Sequence, residues 1–145
     1  MIGLLQRVSE ASVEVDAKRV ASIGAGLLVL VGVRPTDDGP AALRLLSRLL
    51  QYRLFADESG KMNLSLTQTQ GDLLLVPQFT LAAETHKGLR PGFSTAAAPE
   101  QGRLLFDTLV QAARARHPRV ETGIFGAHMR VSLTNDGPVT FWLES

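Results

Sequence analysis

The side chains that most often carry chemistry are thinly spread in this chain. It contains no cysteine, which excludes thiolate catalysis, disulfides and cysteine-ligated metals. Its three histidines, His86, His117 and His128, are scattered and lack the spacing of metal ligands. Carboxylates adjoin at Asp37/Asp38 and Asp57/Glu58, but in turn-like segments, where capping or solvation is the expected role. No nucleophile elbow of the G-x-S-x-G type and no phosphate loop is present. Two stretches stand out instead. In "PQFTL", the polar residues Gln78 and Thr80 flank Phe79 inside an otherwise apolar run. In "NDGPVTFW", a turn-like Asn-Asp-Gly-Pro runs straight into a strand-like segment, so a donor-free, φ-restricted proline sits between two strand candidates. The ordinary alternatives are a strand emerging at a sheet edge for the first and a tight surface turn for the second. An enzyme equipped this way relies on backbone donors, positioning and the reactivity of its substrate.

The elements that must hold these residues follow from periodicity. "IGLLQRV" and "ASVEVD" alternate apolar and polar and read as two half-buried strands, and "RVASIG" as a short third. Gly26 to Val33 is continuously apolar, the pattern of a strand covered on both faces. Asp37 to Pro40 marks a helix start, and "AALRLLSRLLQY" follows with Leu43, Leu46 and Leu50 on one face. Arg53–Ala56 reads as a short strand and "DESG" as a turn. Asp72 to about Leu81 is a central strand containing Pro77, and a loop runs from Ala82 to Ala98. Pro99 opens a second helix reaching about Arg116, with Leu105, Leu109, Ala112 and Ala113 inward. "RVETGIFG", "HMRVSLTND" and "VTFWLES" close the chain as strands. The sum is a mixed sheet with two helices, an α/β or α+β fold in one domain spanning residues 1–145.

Composition narrows the classes. Of 145 residues, 45% are hydrophobic and 20% charged, an ordinary globular profile. No apolar run approaches the ~18–20 residues of a membrane helix, and no basic stretch precedes the first apolar residues as in a secretory leader. The lack of cysteine suits a reducing cytoplasm. Net charge is +1, too small for broad non-specific binding of long nucleic acid. An RNA partner would be held over a small footprint or by a local basic cluster such as "HKGLRPG", His86 to Gly92, whose plainer reading is a solvated loop.

Taken together, "VPQFTLAAETHKGLRPGFS" and "VSLTNDGPVTFWLES" resemble the D-aminoacyl-tRNA deacylases. So do "LLQRVSEASVEVD", "IGAGLLVLVGV", "RLFADESGKMNLSL" and "ETGIFGAHM", in unbroken order from Met1 to Ser145. The pairing of Gln-Phe-Thr-Leu with Asn-Asp-Gly-Pro-Val-Thr carries the specificity of the match. The sequence departs from the family pattern at Pro77, where serine is common, at His86, where arginine is frequent, and at Gly92, where serine is frequent. Pro77 lacks both the hydroxyl and the backbone N–H. A proline there is also a mark of a sister family of tRNA deacylases with relaxed chirality, while Phe79 and the intact Asn-Asp-Gly-Pro-Val-Thr favour the D-specific group.

The resemblance implies a barrel-like, layered fold with two main helices and hydrolysis of the ester joining a D-amino acid, and glycine on tRNA(Ala), to the 3′-terminal adenosine of tRNA. Such an ester is already activated and has a ribose hydroxyl beside it. The expected mechanism is therefore substrate-assisted, without cofactor or metal, and positioning alone can contribute up to roughly 7–11 kcal/mol. Gln78, Phe79 and Thr80 are the implied catalytic residues, holding the adenosine and lining the oxyanion site. Thr80 as a nucleophile ranks lower, since no neighbouring base is evident in the sequence. Phe125 and Met129 are implied in the adenosine pocket and read equally well as core. The family carries a cis Gly-Pro bond, here Gly137-Pro138, which one subunit of a homodimer inserts into the active site of the other. Its carbonyls take the space an L side chain needs, so that selection works by clash, with Pro77 nearby in the selective set. Implied partners are tRNA and a second subunit, with no membrane and no DNA. Two other readings stay open: a non-catalytic binder of the tRNA 3′ end, and a metal-free hydrolase of another acyl ester or amide.

Overall fold

The computed structural model describes residues 1–145. Its spine is β1, Ile2–Val15. The two strands expected at "IGLLQRV" and "ASVEVD" are the halves of this one strand. On one edge β1 changes partner: Ile2–Val8 pair antiparallel with β3 (Gly26–Gly32), and Ala11–Val15 with β2 (Lys18–Ile23). Along the other edge β8 (Arg130–Glu144) runs from Ile2 to Glu14 and keeps the backbone extended through the changeover. Asp16 and Ala17, at φ 51° and 60°, make the tight left-handed turn between β1 and β2.

After β3 the chain enters α1 (Gly39–Gln51). The Asp38 carboxylate accepts from the Ala41 N–H at 2.8 Å and Pro40 sits in the first turn, so the expected start holds. The expected inward stripe is corrected. Leu46 and Leu50 are buried, but Leu43 is 46% exposed. The face that meets the sheet is Ala42, Leu45, Leu46 and Leu49, a full i, i+3, i+4, i+7 stripe, which turns Leu43 outward. β4 (Arg53–Ala56) and β5 (Met62–Ser65) form a separate antiparallel ribbon around the expected turn. A one-turn helix, α2 (Leu66–Thr69), follows with a reciprocal Ser65–Gln68 cap, which the sequence reading does not anticipate.

β6 (Asp72–Pro77) lies parallel to β3. It does not run on to Leu81 as expected. The Gln78 N–H donates to the Val31 carbonyl at 2.8 Å, and residues Phe79–Ala82 then coil into a 3-10 turn. β3 itself ends at Gly32, so no partner remains to carry the ladder further. α3 (Pro99–Arg116) buries Leu105, Leu109 and Ala113, with Ala112 half-buried. β7 (Val120–Thr122) is the only part of "RVETGIFG" that is strand, and it lies parallel to β6.

The largest correction concerns the chain's end. "HMRVSLTND" and "VTFWLES" are not two strands joined by a turn. From Arg130 on they are the halves of β8, and both pair with β1: Leu133 with Ala11 on one side of the interruption, Thr140 with Gln6 on the other; His128 and Met129 precede the strand. Between them a single β1 residue, Arg7, faces four on β8, Asp136 to Val139.

The sheet order is β2-β1-β3-β6-β7, with β8 on the free edge of β1. The end strand β2 comes against β6 and β7, so the sheet curls towards a barrel. Alternation sorts its side chains. Leu27, Val29, Val31, Leu73 and Leu75 face α1 and α3 in the main core, while Leu28, Leu74 and Val76 join Val8, Val13 and Ile23 in a second cluster on the other face. Each fully buried leucine contributes about 1.5–3 kcal/mol. This is the mixed sheet with two longer helices that the periodicity indicates, in the barrel-like form that the family resemblance implies.

Candidate active site

Because β3 and β6 are parallel, their C-terminal ends open at the same place, the usual position for a site beside a parallel pair. A cavity of about 460 Å³ lies there. Its walls are Val31 at the end of β3 and Val33 just beyond it, Val76 to Phe79 at the end of β6, Pro99, Gly102 and Phe106 of α3, and the turn from Phe125 to Met129. Five of the expected site residues meet on this wall: Pro77, Gln78, Phe79, Phe125 and Met129.

Pro77 fits without costing a ladder bond. Backbone groups alternate edges along a strand, and Gln78 directs its N–H to β3. The missing donor of Pro77 therefore faces the other edge, beyond the point where β7 stops at Thr122. Two glycines shape the rest of the pocket. A Cβ on Gly123 would lie 2.7 Å from the Met129 sulfur and 3.3 Å from Pro77 Cδ, so only glycine lets Met129 lie against this wall. The Met129 sulfur accepts a weak bond from the Ile124 N–H at 3.3 Å. A Cβ on Gly102 would come within 3.2 Å of the Phe125 ring, which rests against α3 there. Arg103 lies over the same ring, its guanidinium carbon 5.1 Å from the centroid.

Gln78 donates through its side-chain amide to the Thr80 hydroxyl at 2.5 Å. Thr80 itself is exposed and stands beside the cavity rather than on its wall. No carboxylate or imidazole is hydrogen-bonded to it, so nothing there removes its proton. The N–H groups of Phe79 and Thr80 open the 3-10 turn, have no partner inside it, and receive no side-chain cap. The only ionisable side chain on the wall is His128, at the exposed rim. The groups whose protonation is shifted lie elsewhere. Arg34, raised by its hydrogen bond to Glu144, and Glu144, lowered by the same bond, form one pair. Asp57 is lowered to about 2 by hydrogen bonds from Asn63, Ser59 and Lys61.

Gly137 and Pro138 do not join the cavity of their own chain. Both are exposed, Gly137 at φ +145°, and the bond between them is cis. The segment is braced from both sides. Arg7 donates from Nε to the Asp136 carbonyl at 2.9 Å and from Nη1 to the Leu54 carbonyl at 2.6 Å. The Asn135 side chain accepts from the Val139 N–H at 2.6 Å and donates to the Thr140 hydroxyl at 2.9 Å.

The family model described as D-Tyr-tRNA(Tyr) deacylase matches residues 4–144. The chain belongs to the D-Tyr-tRNA(Tyr) deacylase family. Among curated proteins it is 63% identical to a D-aminoacyl-tRNA deacylase of Ectopseudomonas mendocina over 97% of both chains. It is 60% identical to one of Azotobacter vinelandii over the whole of both. A solved structure titled c-Myc DNA Unwinding Element Binding Protein is 37% identical and superposes with a TM-score of 0.95, covering 100% of this chain and 99% of that one. A second, titled as a probable eukaryotic D-amino acid tRNA deacylase, shares the fold at TM-score 0.86 and 20% identity, covering 99% of this chain and 98% of that one.

Sequence reasoning for this deacylase-family chain missed Gly102, Gly123, His128 and the bracing Arg7. The glycines left one signal, a Gly inside a helix and another directly after a strand, positions where glycine needs a packing reason. Arg7 left none, since its partners are more than forty residues away in the chain.

Proposed function

We propose that residues 1–145 act as one domain that hydrolyses the ester between a D-amino acid, or glycine on tRNA(Ala), and the terminal adenosine of tRNA. The observation that carries this reading is the convergence of Pro77, Gln78, Phe79, Phe125 and Met129 on one apolar cavity whose only ionisable wall residue is His128. A wall without an acid–base pair suits a substrate that brings its own hydroxyl.

In this reading Phe125 and Met129 hold the adenine, and Gln78 and Phe79 fix the ester. The opening N–H groups of the 3-10 turn at Phe79 and Thr80 take the developing oxyanion. Thr80 orients Gln78 through its hydroxyl. The ribose 2′-hydroxyl assists attack by water, and no metal or cofactor takes part. Gly137-Pro138 of one subunit reaches the cavity of a second, and its carbonyls exclude an L side chain by occupying its space. Two features support the homodimer. The pair is exposed and off its own cavity, and the outer edge of β8 has no partner strand within the chain. The tRNA substrate makes the cytoplasm the working compartment, with neither membrane nor DNA as a partner.

The test is incubation with D-tyrosyl-tRNA and L-tyrosyl-tRNA, without added metal. Release of D-tyrosine and sparing of the L ester is the expected result. A D substrate ending in 2′-deoxyadenosine should stay intact. Binding without turnover of either enantiomer would make the protein a 3′-end binder, and equal turnover of both would remove chiral selection.

A further inference from the structure

Next to the cavity, the chain leaves the fold and returns to it in a short excursion. Glu84 and Gly92 close it with a reciprocal backbone pair, N–H to carbonyl at 2.8 and 2.9 Å. The Thr95 hydroxyl fastens the returning chain to the Ala82 carbonyl at 2.5 Å. Between these anchors lie Lys87 and Arg90, both exposed, and neither meets a carboxylate. The one acidic group, Glu84, is engaged at the base, where its carboxylate accepts from the His86 N–H at 2.7 Å. Immediately after the excursion, Phe93 lies against Phe79, ring centroids 5.2 Å apart. Both rings are large exposed hydrophobics, Phe79 at 56% and Phe93 at 46%. Phe79 is at the same time part of the cavity wall.

Exposed aromatic faces beside unpaired cations are the equipment for single-stranded nucleic acid. A base stacks on the ring while Lys and Arg meet the phosphates. In the free protein the cations make no ion pair, and the two rings, though they pack on each other, leave about half their surface in water. We infer that Phe93, Lys87 and Arg90 form a second subsite, outside the cavity, for the single-stranded RNA nucleotides that precede the terminal adenosine. Phe93 offers a stacking surface to the next base, and Lys87 and Arg90 hold the phosphates that follow. This rests on the deacylase reading and extends it from the reacting nucleotide to the strand that carries it. The small net charge of +1 is then no obstacle, because the cations needed are gathered on one short loop.

The experiment compares D-tyrosyl-adenosine with D-tyrosyl-tRNA as substrates of the dimer or monomer as purified. For Lys87→Ala/Arg90→Ala, the ratio of KM for the tRNA to KM for the adenosine ester should rise roughly tenfold, with kcat on tRNA retained. The slope of log binding against log salt should flatten by about 1.4, from two single-strand phosphate contacts at about 0.7 each. Phe93→Ala should raise the same ratio roughly tenfold, and Phe93→Trp should restore it. Lys18→Ala/Arg19→Ala removes the same charge from the β1–β2 hairpin and should leave the slope as in the parent. A ratio and slope unmoved by the loop variants, with the parent active on both substrates, would overturn the subsite alone. Failure of the parent on both substrates would overturn the deacylase reading. The subsite is then decided by fluorescence anisotropy with an uncharged CCA-ended oligoribonucleotide, which Lys87→Ala/Arg90→Ala should weaken. Equal competition by a single-stranded DNA of the same sequence, or by poly-anions without bases, would reduce the loop to a general anion patch and overturn it as well.

Discussion

One strand, β1, has two very different neighbours. Against β3 its register is unbroken, Ile2 with Gly32 through Val8 with Gly26. Against β8 it slips twice, and at Arg7 four residues stand opposite one. Val8 lies between the two regimes, paired with Gly26 on one side and Asn135 on the other. The β3 side carries buried side chains on both faces, so a slip of one residue would turn each of them the wrong way. The β8 side is largely exposed, and there the sheet tolerates an expelled segment. Regularity follows burial, and of the two proposed functional parts the Gly137-Pro138 tip sits where burial relaxes while the cavity opens at the end of the buried pair.

The largest test of this contrast is Gly26→Ala. A Cβ at Gly26 would lie 2.0 Å from the Asp72 carbonyl oxygen and 2.6 Å from the Asp72 nitrogen, backbone atoms of a parallel neighbour that has no room to retreat. A loss of more than about 3 kcal/mol is expected in chemical denaturation, enough to prevent folding in a marginal protein. Next comes Gly137→Ala. Its Cβ would meet Val139 Cγ2 at 2.6 Å, the Val139 backbone nitrogen at 2.9 Å and Arg7 Nη2 at 3.3 Å, at a φ that favours glycine. The segment around it is exposed and can shift where the Asp72 backbone cannot, so about 1–2 kcal/mol of stability is expected to go. The kcat/KM on D-tyrosyl-tRNA should fall more than tenfold. If Gly137→Ala destabilises as much as Gly26→Ala, the contrast between the two edges collapses.

The smallest effect concerns the ribbon that supports the slipped edge through the Leu54 carbonyl. Asp57 organises the turn of that ribbon, accepting from Ser59, Lys61 and Asn63. Its folded pKa of about 2 lies below the ordinary 3.8. The stabilisation is therefore complete above about pH 4 and lost as pH falls through 2. An NMR titration of the Asp57 carboxyl should show a midpoint near 2, and Asp57→Asn should abolish the acid-sensitive part of the turn. A midpoint at the ordinary value would show that those donors do not hold the carboxylate.

The contrast also explains what was legible in the sequence. The β3 strand and the starts of both long helices are written in local periodicity and in Asp38, Pro40 and Pro99. The convergence of Pro77, Gln78, Phe79, Phe125 and Met129 followed from the family resemblance, not from spacing. Three things were out of reach for one physical reason, their dependence on a partner distant in sequence. Leu43 belongs to an apolar stripe only until the sheet selects the neighbouring one. β6 stops at Pro77 because β3 has ended. Asn135–Pro138 imitates a hairpin turn because Asn, Asp, Gly and Pro suit any reversal of the chain, and only pairing of both flanks with β1 distinguishes a bulge from a corner.

The clamping of β8 on both sides of its interruption has a consequence for inheritance. Register before Asn135 and after Thr140 is fixed independently, by separate runs of β1. The residues between them can change in length or composition without passing the change on to the barrel. In this architecture the scaffold and the tip proposed for selection are separately editable, so that substitutions in the tip can alter the proposed discrimination while the body that presents it stays the same.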